Sequence, residues 1–214
     1  MLIYCYKYMI KDLNNIELSI VEKYILMLLY AHEGKCKGKL WLQKEMFMLI
    51  EVFKELKRLN FKSSSYGPHS ETLEKYISKL EESDLIKELS LTEKGYEIVK
   101  QLWENFNERE IIKANVDFLE SLDEDELLLY IYVTSSKESN FKKIILTILG
   151  MFAIKKRKVE DSILQRRREI ALKMLREKKI SLGLAAKLAG LSYFEMLDEA
   201  IKHGIKPFEV KGDI

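Results

Sequence analysis

The chain has 214 residues, 47% hydrophobic and 33% charged. That apolar content suffices for a packed core and excludes disorder over most of the length. Thirty-six Lys and Arg oppose 34 Asp and Glu, for a net charge of +2, so a uniformly basic nucleic-acid coat is excluded and any basic surface is local. Nine Gly and two Pro leave little room for turns, which favours a mainly α fold over sandwiches and barrels.

Two cysteines, Cys5 and Cys36, make no disulfide framework. No C-x-x-C pair offers a zinc ribbon or thioredoxin-like site. Reduced, partly buried thiols in a cytoplasmic protein are expected. The segment 1–10 carries Lys7 within its apolar stretch and has no small-residue cleavage site, so it does not read as a signal peptide. The longest apolar run, 144–154, is shorter than the ~18–20 residues that span a bilayer. It reads as a buried or dimer-forming helix, with an interfacial membrane helix as the alternative. No membrane partner is expected.

The predicted elements run in chain order. Ser19 and Glu22 form a capping-box pattern opening a helix with Val21, Ile25, Leu28 and Leu29 on one face, ending near Gly34. A second, largely apolar helix is predicted over about 40–56. After the loop 62–68 a third helix carries Leu73, Tyr76, Ile77 and Leu80 at core spacing, with Thr72, Lys75 and Lys79 on another face. Residues 85–91 read as a small β pair. Thr92 caps a fourth helix with Tyr96, Val99, Trp103 and Phe106 on one side. Two acidic amphipathic helices occupy 107–136, the second starting at the cluster Asp123, Glu124, Asp125 and Glu126, whose charge suits a helix N-terminus. A polar break at 135–140 sets the expected domains at 1–136 and 137–214. A long amphipathic helix is predicted over 159–179, then short helices over 182–189 and 192–203, the last opened by Ser192 and Glu195.

Charge is unevenly placed along this order. Residues 104–126 hold nine acidic and two basic side chains, and 155–179 hold eleven basic and four acidic ones, net −7 and +7. The asymmetry points either to a polyanion partner for one end or to the two segments pairing with each other.

Two constellations stand out. In 181–192 the small residue Ala186 precedes Gly190 by four, Leu191 fills the gap and Ser192 caps the last helix. This is helix-turn-helix spacing, and a tight helical hairpin fits it too. Residues 159–210 resemble uncharacterised protein family 0175 through Ile170-Ala171-Leu172, 179–183, Ala185-Ala186, 189–192 and 203–205. That resemblance implies a DNA-binding module with antitoxin-like members. The other constellation is helix, helix, loop, helix, short β, helix. Leu42-Gln43-Lys44, 66–70, Leu85-Ile86, 91–95 and 125–128 resemble archaeal and bacterial winged-helix proteins of the regulator and antitoxin-component kind. The expected architecture is therefore a winged-helix domain followed by a helical domain containing a helix-turn-helix.

A DNA-binding reading assigns His69, Ser70, Thr72, Lys75 and Lys79 to the major groove and Lys87 and Lys94 to phosphates near the wing. In the C-terminal part it assigns Arg166, Arg167, Arg168, Arg176, Lys178, Lys179 and Lys187 to the backbone, with Ser192, Tyr193 and Lys202 on the last helix. Glutamates 71, 74, 81 and 82 on the third helix, and Glu195, Asp198 and Glu199 on the last, oppose that reading, because phosphates repel carboxylates. His32, His69 and His203 each lack a second metal-ligand type at useful spacing, and no P-loop, dinucleotide or H-E-x-x-H motif occurs. No enzyme activity, cofactor or metal is expected. The sequence thus offers two functions: a regulator binding duplex DNA as a homodimer, or a protein-interaction module that binds a partner such as a toxin.

Overall fold

The computed structural model describes residues 17–64, 66–135 and 153–206, with the side chains of Ser135 and of 153–158 left aside. Cys5, the segment after Ser135 and most of the apolar run 144–154 lie outside the described residues. Among those residues the fold is mainly helical, with only two two-stranded sheets, and no helix is long and apolar enough to cross a membrane. Contacts divide the chain into two compact units. One is Met1–Lys62 with Pro68–Glu120, and the other is Ser63–Gly67 with Ser121–Ile214.

The first unit is built around α1 (Ile20–Ala31). The Ser19 hydroxyl accepts from the Glu22 amide, and the Glu22 carboxylate accepts from the Ser19 amide at 2.7 Å, completing the expected capping box. Apolar residues lie on every face of α1, and Val21, Ile25, Leu26, Leu28 and Leu29 are fully buried. A helix of this composition must be surrounded. It is, by α2 (Lys39–Leu49), α3 (Glu71–Glu82), α4 (Glu93–Glu104) and α5 (Arg109–Glu120).

The second helix is shorter than its composition predicts. It stops at Leu49, and a 3-10 helix covers Lys54–Leu59. Phe53, Leu56 and Leu59 are all buried, and a spacing of three aligns them only at the 3-10 repeat of ~3.0 residues per turn. The strands β1 (Lys62–Ser64) and β2 (Gly67–His69) then lead to α3.

The predicted β pair is present as β3 (Ile86–Lys87) and β4 (Ser90–Leu91), antiparallel, with Ile86 opposite Leu91. Its two-residue turn, Glu88-Leu89, holds both residues at positive φ, 50° and 59°, as the twist of a tight hairpin requires. The segment after α1 joins as a further strand-like edge. The Leu91 amide donates to the Gly34 carbonyl (2.7 Å) and the Cys36 amide to the Leu89 carbonyl (3.0 Å). Thr92 caps α4 as expected, accepting from the Gly95 amide. Gly95 itself is dictated by contact, because a Cβ there would stand 1.9 Å from the Leu85 carbonyl oxygen.

The second unit holds α6 (Glu124–Ser135), α7 (Ala153–Gln165), α8 (Arg167–Arg176), α9 (Leu182–Ala189) and α10 (Tyr193–Lys202). The single long helix predicted over 159–179 is two helices, α7 and α8, interrupted at Arg166 with φ −94° and ψ 7°. The acidic helix α6 packs against α8 and α9. Between α9 and α10, Gly190 takes the left-handed conformation (φ 71°), and the Leu191 amide returns to the Ala186 carbonyl at 2.9 Å. Ser192 and Glu195 form the second capping box.

Gly95→Ala should lower unfolding stability by about 3 kcal/mol, the upper range for overpacking against an unyielding neighbour, as read by urea denaturation. Ala in place of Gly183, whose Cβ direction meets nothing within 4 Å, should not destabilise the chain to a comparable degree.

Candidate functional site

Helix α3 carries four glutamates against two lysines. Lys75 is exposed and, among the described residues, without a hydrogen-bond or ion-pair partner. Lys79 binds the buried Glu22 carboxylate at 2.8 Å. Ser70 is the buried N-cap of the helix. Its hydroxyl donates to the Leu59 carbonyl and accepts from the Leu73 amide, so it presents nothing outward. His69 and Thr72 are half-buried. On the hairpin Lys87 is exposed beside exposed Glu88, whereas Lys94 donates to the Ser83 carbonyl at 3.0 Å.

The motif residues preceding α3 are interior. Gln43 brackets Ser70, accepting from its amide (2.9 Å) and donating to its carbonyl (3.1 Å). Lys44 is 2% exposed and donates to the Pro68 carbonyl at 2.7 Å. Burial lowers its ammonium pKa to about 8. The Leu42-Gln43-Lys44 and Gly67-Pro68-His69-Ser70 segments therefore form a clamp that fixes where α3 begins.

In the second unit the end of the acidic segment, Asp123 to Glu126, meets the basic one. Asp123 caps α6, accepting from the Glu126 amide while the Glu126 carboxylate accepts from the Asp123 amide, both at 2.9 Å. The Glu126 side chain is 1% exposed and binds Lys179 at 2.7 Å and Lys173 at 3.0 Å. Lys173 also binds Asp123, and Arg166 binds Asp125 at 2.9 Å. Burial works against the Glu126 charge. Lys179, the Asp123 amide and Lys173 more than offset it and hold the carboxyl below its ordinary value. Asp123 is lowered in the same way, by Lys173 and the Glu126 amide.

The remaining basic candidates divide between structure and surface. Arg167 donates to the Leu188 carbonyl (2.7 Å) and the Lys187 carbonyl (3.2 Å), which satisfies the C-terminal end of α9. Its guanidinium also fills the space a Cβ at position 190 would need. Arg168 lies within electrostatic reach of Glu195 and Glu199. Arg176, Lys178 and Lys187 are exposed. Lys202 pairs with Glu199 at 3.0 Å, and Ser192 is spent as the N-cap of α10.

What α10 does expose is apolar. Phe194 is 75% exposed, Ile201 61% and Tyr193 43%. Phe194 and Ile201, seven apart, share a face with half-buried Leu197 between them. Glu195 and Asp198 are exposed beside this stripe.

One polar group of side chains was not expected from the sequence. His32, at the C-cap of α1, has its Nε2 at 2.9 Å from both Glu45 carboxylate oxygens. Cys36, Glu45 and His32 place one ligand atom each within 4.8 Å of one another, and all three are buried. His32 is thus not isolated from other metal-ligand types. Burial opposes charge on its ring, yet the hydrogen bonds to Cys36 and Glu45 raise it to about 10. Burial also raises the Glu45 carboxyl. The signal was present as the H-x-x-x-C spacing, but Glu45 sits on the next helix, and only folding brings it in. Neither a protein family, nor a curated protein, nor a solved structure matches this chain.

Because the folded pKa of Glu126 is depressed, its stabilisation is complete above the ordinary value of 4.5 and is lost as pH falls below it. Glu126→Gln should cost about 1–3 kcal/mol at neutral pH. It should also flatten the fall of the urea midpoint between neutral and acid pH.

Proposed function

We propose that the chain works by binding another protein, with a winged-helix unit first and a helix-turn-helix hairpin in the second. The order α1, strand-like edge, α2, α3, β3, β4, over residues 20–91, supports the winged-helix reading of the first unit. The observation that carries the function is the inward commitment of four side chains of the basic segment. Arg166, Lys173 and Lys179 are bound to the acids of α6, and Arg167 to the α9 carbonyls. Duplex binding draws its affinity from Lys and Arg side chains that neutralise phosphates and release their counterions, and these four are committed elsewhere, while Arg176, Lys178 and Lys187 stay exposed. In the place of a basic recognition helix, α10 offers Phe194 and Ile201 flanked by Glu195 and Asp198. An apolar stripe rimmed by acids fits a partner with an apolar socket and a basic rim. This is the chemistry expected of an antitoxin-like module that holds a basic toxin.

A second reading is favoured by one observation. Lys75 on α3 and Lys87 on the hairpin occupy the helix and wing positions of a winged-helix DNA reader, and both are exposed without partners among the described residues. A salt-titrated mobility shift on random duplex separates the two. The protein-binding reading expects no shift at low ionic strength. A shift whose salt slope shallows by about 1–2 units in the Lys75→Ala, Lys87→Ala double variant, ~0.9 per lost phosphate contact, would establish the DNA reading instead. A photo-crosslinker replacing Phe194 in cells should trap one basic protein. Trapping of nucleic acid there would overturn the proposal.

A further inference from the structure

We propose that His32, Cys36 and Glu45 form a metal site for a zinc-type divalent cation, independent of the protein-binding surface. The three side chains come from separate pieces of the first unit: the end of α1, the strand-like edge beside β4, and α2. Each supplies a different donor, an imidazole nitrogen, a thiolate and a carboxylate oxygen. Their ligand atoms lie within 4.8 Å of one another. Ligands at ~2.0–2.3 Å around one tetrahedral zinc stand about 3.4–3.8 Å apart, so loading draws the widest pair, at most 4.8 Å apart, together by up to about 1 Å. Loading parts the ring from the Glu45 carboxylate, now 2.9 Å away, by about 0.5 Å to reach that separation.

Charge and chemistry agree on the class of ion. A thiolate and a carboxylate together neutralise a divalent cation, leaving no net charge in a buried place. A thiolate beside an imidazole selects zinc and its transition-metal neighbours over calcium and magnesium, which take oxygen ligands. The second oxygen of Glu45 or a water completes the fourth position.

A further observation fits a loaded ring. His32 Nδ1 is buried with no hydrogen-bond partner, and the Glu120 carboxylate, at the end of α5, lies 3.4 Å from it. Metal-bound histidines donate their other ring N–H to a carboxylate, which fixes the tautomer and strengthens the ligand. With Nε2 on the metal, Nδ1 carries the proton and donates to Glu120. Glu120 is thus a positioning residue, and the site links α1, α2, the hairpin edge and α5.

The test is a cobalt titration of the full, reduced chain, followed by zinc. We expect one cobalt per chain with a thiolate-to-cobalt charge-transfer band in the near ultraviolet, abolished by one equivalent of zinc. Zinc should raise the thermal midpoint. Cys36→Ser should lose the band, and Cys5→Ser should keep it in full, which holds the test open should Cys36→Ser fail to fold. Glu120→Gln should keep the band and weaken binding by about 10–100-fold. Absence of stoichiometric cobalt binding, or a band lost in Cys5→Ser, overturns the proposal.

Discussion

The second unit rests on a buried carboxylate that must stay ionised. Glu126 is nearly inaccessible, and an unpaired charge in that position would cost several kcal/mol. It is tolerated because Lys173 in the last turn of α8 and Lys179 just after it both reach it, and because the Asp123 amide binds it from the start of its own helix. Each of these lysines has another obligation. Lys173 also holds Asp123, and Lys179 also holds Glu177 at 2.7 Å. Asp123, Glu126, Lys173, Lys179 and Glu177 are therefore one network, and part of what looks in sequence like a polyanion site is occupied from within.

That occupation sets what the hairpin can do. Arg167 turns inward to close α9, and Gly190 leaves room for its guanidinium while supplying the left-handed turn. Small residues let α9 pack tightly, since Ala185, Ala186 and Ala189 are buried. With Arg166, Arg167, Lys173 and Lys179 held in this way, the outward chemistry of α10 is carried by aromatic and aliphatic groups with acids beside them. In the first unit the corresponding economy is at α3. Its start is fixed by Gln43 and Lys44, and it carries four glutamates against two lysines. In both units, then, side chains that read in sequence as DNA contacts are held in structural roles, Ser70 and Lys94 in the first and Arg166, Arg167 and Lys179 in the second.

Much of this was legible in the sequence wherever a local rule governs. Both capping boxes, the Thr92 cap, the hairpin at 85–91, the acidic start of α6 and the Gly190 turn come from spacing of a few residues. The segment 50–59 was not, because its three-residue apolar spacing competes with a helical composition and wins only when Phe53, Leu56 and Leu59 find the core. The break at Arg166 was hidden for a similar reason, since both flanking segments favour helix. The His32, Cys36 and Glu45 group escaped notice because two of its members are four apart across a turn and the third is on another helix. The interior role of Gln43 and Lys44 was equally hidden: nothing local says that a Lys will end on a carbonyl 24 residues away.

The pairing of the two charged segments bears most directly on the functional account, and a double-mutant cycle measures it. Glu126→Gln, Lys179→Met and the double variant would be compared by urea denaturation of the full chain at neutral pH. A coupling energy of about 1–3 kcal/mol is expected, in the range for partners in one buried network. Additive losses, with coupling below about 0.5 kcal/mol, would contradict it and return the basic segment to the surface as a free polyanion site.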